Sequence, residues 1–180
     1  MGYPQAFIDY LIFFHGERDF FECHEVLEEY WKSKEGAKEK VWVGFIQLAV
    51  ALYHFRRSNY EGAKRMITSA QKLLEKEKTR VTDLGVNKEQ LLIDLSEIRK
   101  NIEDKSPYQD YNIPIQDQTL LELCTDHCKL HKLEWCTSSD FNNNYLINKH
   151  SLRNREDVIN ERAKQQKIKN RIMSKLKKED

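Results

Sequence analysis

Glycine and proline are scarce in this chain, with 6 Gly and 3 Pro among 180 residues. So few turn formers exclude an architecture of many short strands and tight hairpins. No basic segment followed by an apolar run opens the sequence, so no secretory leader is expected. The longest apolar stretch, Val41 to Phe55, is broken by Gln47 and His54 and is too short to span a bilayer. The 4 cysteines, in a chain read as leaderless, are expected as reduced thiols, which places the protein in the cytoplasm. Nor is there a net charge worth the name, at +1.

The distribution of that charge is more informative. Residues 151–180 hold ten Lys/Arg against five Asp/Glu, so an acidic body of net −4 carries a tail of net +5. The expected layout is a helical domain over 1–136, a polar linker over 137–150 and a basic helical tail over 151–180.

What is present is helical periodicity. Pro4 opens a first helix carrying Phe7, Leu11 and Phe14. Gly16 to Asp19 form a turn, with Asp19 as N-cap of a second helix over about Phe20 to Lys32. Its apolar face reads Phe20, Cys23, Leu27, Tyr30 and Trp31, with Glu22, Glu25 and Glu29 opposite. A third helix, about Ala37 to Arg57, is apolar nearly all round, so other helices must surround it. Asn59 caps a fourth, with Ala63, Ile67, Ala70 and Leu74 inward. A fifth carries Leu91, Leu95, Ile98 and Ile102. Residues 105–118 form a loop, and a sixth helix spans about Thr119 to Trp135.

An internal repeat emerges at an offset of 40 residues. Asp19-Phe20-Phe21-Glu22-Cys23 aligns with Asn59-Tyr60-Glu61-Gly62-Ala63, and Leu27 falls opposite Ile67. The predicted fold is therefore all-α, a compact bundle of stacked helical hairpins, tetratricopeptide-like in outline. A plain up-down bundle remains the alternative.

Two stretches carry a resemblance. Phe21-Glu22-Cys23-His24-Glu25-Val26-Leu27-Glu28-Glu29-Tyr30-Trp31 is followed by Gly44-Phe45-Ile46-Gln47-Leu48-Ala49, Leu52-Tyr53-His54, Asn59, Gly62 and Ala63. Together they resemble the DUF309 family of small helical proteins from bacteria and archaea, most closely over residues 4–78. The resemblance implies a fold and a candidate site; it implies no reaction.

The candidate pocket comprises His24, Glu28, Trp31, Gln47, Tyr53 and His54. On the second helix His24, Glu28 and Trp31 fall in one stripe. On the third, Gln47 and His54 are seven apart and stacked on one side. Polar side chains on a buried helix need partners, so both are expected to meet His24 and Glu28 across the hairpin. Three uses remain open for them. They form a hydrogen-bond network that sets helix register, a ligand or acid–base pocket, or a metal site with ligands His24, Glu28 and His54. The segment is similar to the zinc-protease pattern His-Glu-x-x-His, but Glu28 stands where the second His belongs, which removes that assignment. Cys124, Cys128, His131 and Cys136 form a weaker metal set, without the spacing of a zinc knuckle.

The basic tail spreads its charge around the helix and contains no Trp, Tyr or Phe. Base stacking and membrane anchoring therefore lack support, and nucleic acid is the least favoured partner. The leading expectation is an adaptor without catalytic activity that binds a protein or small ligand and needs no cofactor. A metal-assisted or acid–base hydrolase built on His24, Glu28 and His54 is the alternative.

Overall fold

A computed structural model describes residues 2–152. The chain divides into two compact units, Met1–Ile147 and Asn148–Asp180. The basic tail helix expected from residue 151 lies, from residue 153 onward, outside the described residues.

The described residues are helical apart from turns, loops and one isolated bridge. In chain order the helices are α1 (Gln5–Ile12), α2 (Phe20–Lys32), α3 (Lys40–Arg56), α4 (Tyr60–Lys76), α5 (Lys78–Asp83), α6 (Lys88–Glu103), α7 (Gln118–Leu130) and α8 (Asn144–Leu152). Helix α3 packs against both α2 and α4, α4 continues onto α6, and α1 lies against α2 and α7. The helix with apolar residues all round is thus the central one, as its sequence demands. Of its residues, Val41, Trp42, Phe45, Leu48, Ala49, Ala51 and Leu52 are wholly shielded from solvent. Phe7 and Tyr10 of α1 add an aromatic layer, with the Phe7 and Phe45 rings 5.2 Å apart and the Tyr10 hydroxyl donating to the Phe45 carbonyl at 2.9 Å. Gly44 lets α3 and α4 approach closely, since a Cβ there would lie 2.7 Å from Leu74 Cδ2.

The 40-residue repeat is visible as matched turn chemistry. Arg18 and Ser58 both take the left-handed conformation, with φ of 54° and 58°. The residues after them cap α2 and α4 with near-identical backbones: Asp19 at φ −89°, ψ 79° and Asn59 at φ −85°, ψ 75°. Each cap side chain accepts from the amide three residues on, Glu22 and Gly62 respectively, at 3.1 Å. The two turns differ in how they are entered. Before the first, α1 widens into a π turn over Phe13–Glu17, which buries His15 and Gly16.

The stretch expected as a loop is a strap. From the end of α6 it runs to an antiparallel bridge between Val86 and Ile115, fastened by Asn87 N–H donating to the Pro114 carbonyl at 2.8 Å. The polar stretch expected as a linker carries α8 from Asn144 onward, and its Ser139 is buried. No helix among the described residues is long and apolar enough to cross a membrane.

Removing either matched cap should weaken the fold by similar amounts. We expect Asp19→Ala and Asn59→Ala each to lose about 1 kcal/mol in urea denaturation. The double variant should lose nearly the sum. A loss at one cap only would show that the repeat is a sequence coincidence without matched energetics.

Candidate functional site

The residues singled out from sequence fall into two places. On α2, His24 is held between two carboxylates. Its Nδ1 lies 3.0 Å from Glu25 Oε1 and its Nε2 lies 2.9 Å from Glu28 Oε2. Glu28 also pairs with Lys32 one turn on. The imidazole side chain is 30% exposed, so this cluster lies on the open side of the helix and not under an apolar lid. A neutral ring has one N–H and can donate to only one of the two carboxylates; the imidazolium donates to both.

Helix pairing explains why His54 does not join this cluster. The Tyr30 ring meets Trp42 at 5.2 Å, and the Arg56 guanidinium lies 4.7 Å over Phe20. Between those two contacts, the level of His24 on α2 falls near Val50 on α3, about one turn short of His54. His54 instead faces the α3–α4 turn, where its Nδ1 lies 3.1 Å from Asn59 Nδ2. Tyr53 is buried beside it, with Arg57 5.2 Å over its ring. Gln47 Oε1 and Trp31 Nε1 are shielded from solvent and have no hydrogen-bond partner among the described residues.

The ligand atoms that converge are those of His24, Glu25 and Glu28, all within 4.8 Å of one another. Glu25, expected to point away, replaces His54 in the set. One imidazole and two carboxylates form a donor set suited to a borderline or hard divalent ion. The weaker set does not gather among the described residues. Cys124 and Cys128 are buried under α7, whereas Cys136 is exposed. His131 stacks on His127, with ring centres 4.4 Å apart. Burial pushes the Cys124 thiol up to about 12 and raises Cys23 and Cys128 as well.

A second polar constellation, which sequence reasoning missed, lies inside the fold. Arg18, only 1% exposed, donates from Nε to the Thr137 carbonyl at 2.7 Å. Its Nη1 serves the Phe14 and Tyr111 carbonyls at 3.2 and 2.7 Å, and its Nη2 serves Asn112 Oδ1 at 2.7 Å. Arg56 donates to the Arg18 carbonyl at 2.8 Å and to Ser139 Oγ at 3.4 Å. Burial lowers the pKa of this guanidinium. Asp110 accepts from the Ser139 amide at 2.8 Å and from its hydroxyl at 2.5 Å. Burial would raise the Asp110 pKa, but the two bonds from Ser139, the nearby Arg18 charge and the Tyr108 hydroxyl together hold it below its ordinary value.

His15 completes the constellation. The Ile113 amide donates to its Nε2 at 3.0 Å, so Nδ1 carries the proton and donates to the Leu11 carbonyl at 2.9 Å. Trp135 stacks on the ring at 4.3 Å. Burial pushes the pKa down to about 4, and the neighbouring Arg18 charge adds to the shift. The available signal for this constellation was Arg56, a cation ending a helix with no polar face. Arg18 gave none, because it reads as an ordinary turn residue.

Comparison with known proteins assigns the class. The chain belongs to the DUF309 family of helical proteins. The family model, described as a domain of unknown function, matches residues 7–66. The chain is 49% identical over 164 residues to the uncharacterized protein YpuF of Bacillus subtilis (strain 168), covering 91% of this chain and 94% of that protein. No solved structure matches. The family-matched segment contains His24, Glu25, Glu28, Arg18 and Arg56, while the strap partners of Arg18, Tyr111 and Asn112, lie beyond it.

The His15 geometry fixes a pH dependence. In the unfolded chain the ring titrates near 6.5, but folded it stays neutral to about 4. Stability from this residue is therefore complete above pH 6.5 and lost as pH falls from there to about 4, by roughly 3 kcal/mol in all. Urea denaturation at several pH values across that window should show the fall, and His15→Gln should remove most of it. An unchanged slope in the variant would contradict the assignment.

Proposed function

We propose that this protein is a helical binding module without catalytic machinery. Its recognition surface is the open face of α2 around His24, Glu25 and Glu28. The observation that carries the reading is how the titratable groups are used. Inside the fold, His15, Arg18, Arg56 and Asp110 bind main-chain and side-chain groups of the protein itself. The buried thiols are pushed away from the thiolate form, the form that attacks or ligates. A nucleophile or general base needs a free lone pair beside a space for substrate, whereas His15 Nε2 accepts from the Ile113 amide and the Asp110 oxygens accept from Ser139 and Tyr108. On the solvent side of α2, Glu22, Glu25, Glu28 and Glu29 form a ridge of negative charge, offset in part by Lys32 paired with Glu28. Such a ridge suits the basic surface of a partner protein, steered by charge and weakened by salt.

A second reading has one specific observation behind it. The converging atoms of His24, Glu25 and Glu28 form a candidate divalent-cation site, which would open metal-assisted hydrolysis by activating a bound water.

Metal analysis of protein purified without a His tag separates the two. The binding-module reading expects substoichiometric zinc and manganese, with no saturable uptake on titration. Stoichiometric metal that disappears in His24→Ala would replace it with the metal reading.

A further inference from the structure

We infer that the face formed by α2, α3 and α4 is a dimerisation surface whose occupant is a second copy of this chain. The inference rests on the binding-module reading and deepens it by naming the partner of the α2 ridge. Its test reads oligomeric state, so a monomeric chain ends this inference alone, while metal uptake decides that reading.

The central helix leaves one stripe open. Past Lys40, every residue of α3 is buried except Val43, Gln47, Val50 and His54. Their spacing puts them on one side of the helix. Trp42 and Arg56 meet Tyr30 and Phe20 of α2, whereas Gly44 and Phe55 meet Leu74 and Tyr60 of α4. At about 100° per residue the stripe falls between these two sets and opposite Phe45, which meets Phe7 of α1. By the same count Trp31 of α2 and Met66 and Leu73 of α4, all half-buried, border it.

The two edges of this face carry opposite charge. Along α2 run Glu22, Glu25, Glu28 and Glu29, offset in part by Lys32. Along the exposed side of α4 run Arg65, Lys72 and Lys76, offset in part by Glu61. Arg65 and Lys72 also line a shallow depression on α4 with Ser69, a seat for a ridge of carboxylates.

That pattern selects one symmetry. Two copies meeting face to face are related by a two-fold axis lying in the plane of contact. An axis across the helices sets α2 on α2 and α4 on α4, like charge on like. An axis along α3 sets α2 of each copy on α4 of the other and packs Val43 and Val50 on their own counterparts. The register agrees. Tyr30 and Leu74 both lie near the start of α3, and Phe20 and Tyr60 both near its end. Glu25 therefore comes within about one turn of Arg65 of the second copy, and Glu29 within about one turn of its Lys72. Helices α3 and α4, of 17 residues each, are about 25 Å long. Three helices about 9 Å apart give a footprint on the order of 600 Å², comparable to the about 800 Å² per partner of a standard interface.

Sedimentation equilibrium of the full chain at about 100 µM should show a dimer, with a dissociation constant at least about tenfold higher in 0.5 M NaCl than at low salt. A Glu25→Lys, Glu29→Lys chain carries two basic edges, and an Arg65→Glu, Lys72→Glu chain two acidic ones. Each alone should be monomeric with unchanged helical circular dichroism, and an equimolar mixture should form the heterodimer. A monomeric unaltered chain overturns the inference. So does a dimer that survives either reversal or is indifferent to salt, because the contact then lies elsewhere, and so does a mixture that stays monomeric. Should a doubly substituted chain not fold, Glu29→Lys and Lys72→Glu, both at exposed positions, are read singly on the same terms.

Discussion

A guanidinium with 1% of its surface in water has to find acceptors for its N–H groups, and Arg18 finds them on three separate parts of the chain. A buried cation is costly unless its donors are satisfied. This requirement ties the α1–α2 turn to the strap at Tyr111 and Asn112 and to the segment at Thr137. Arg56 then reads the carbonyl of Arg18 itself, so the end of α3 is fastened to the same turn. The left-handed conformation at Arg18 is what places Asp19 to cap α2 while the Arg18 side chain faces inward. One residue therefore sets the entry to the second helix and the path of the later chain.

The two polar clusters differ in what their surroundings allow. The α2 ridge lies at the surface, where His24 and its carboxylates are accessible to a partner or an ion. The inner cluster is spent on architecture: His15 is fixed in one tautomer by donors and acceptors on opposite sides, and Asp110 is held ionised by Ser139. A surface ridge for recognition above a scaffold tied together by these internal bonds is consistent with the proposed binding module.

Much of the fold was legible because helices announce themselves locally. The limits of α2, the caps at Asp19 and Asn59 and the central place of α3 all follow from spacing and cap chemistry. Spacing within one helix also put His24 and Glu28 together. The expected meeting with His54 depended instead on the axial offset between α2 and α3, which aromatic contacts at Tyr30–Trp42 and Phe20–Arg56 set and which no single-helix pattern encodes. The thiol set on α7 failed to gather for a related reason: Cys124 and Cys128 face the core, while Cys136 lies past the helix end. The inner cluster was hidden because its acceptors are main-chain carbonyls, which leave no trace in residue identity.

The central claim, that Arg18 fastens the strap onto the hairpin core, is tested most directly by amide hydrogen exchange on Arg18→Met. Met keeps an apolar stem of similar reach but donates nothing. The account predicts that the Ile113 and Thr137 amides lose protection while those of α3 and α4 keep theirs. Unchanged protection at Ile113 and Thr137, or an equal loss throughout the helices, would contradict it.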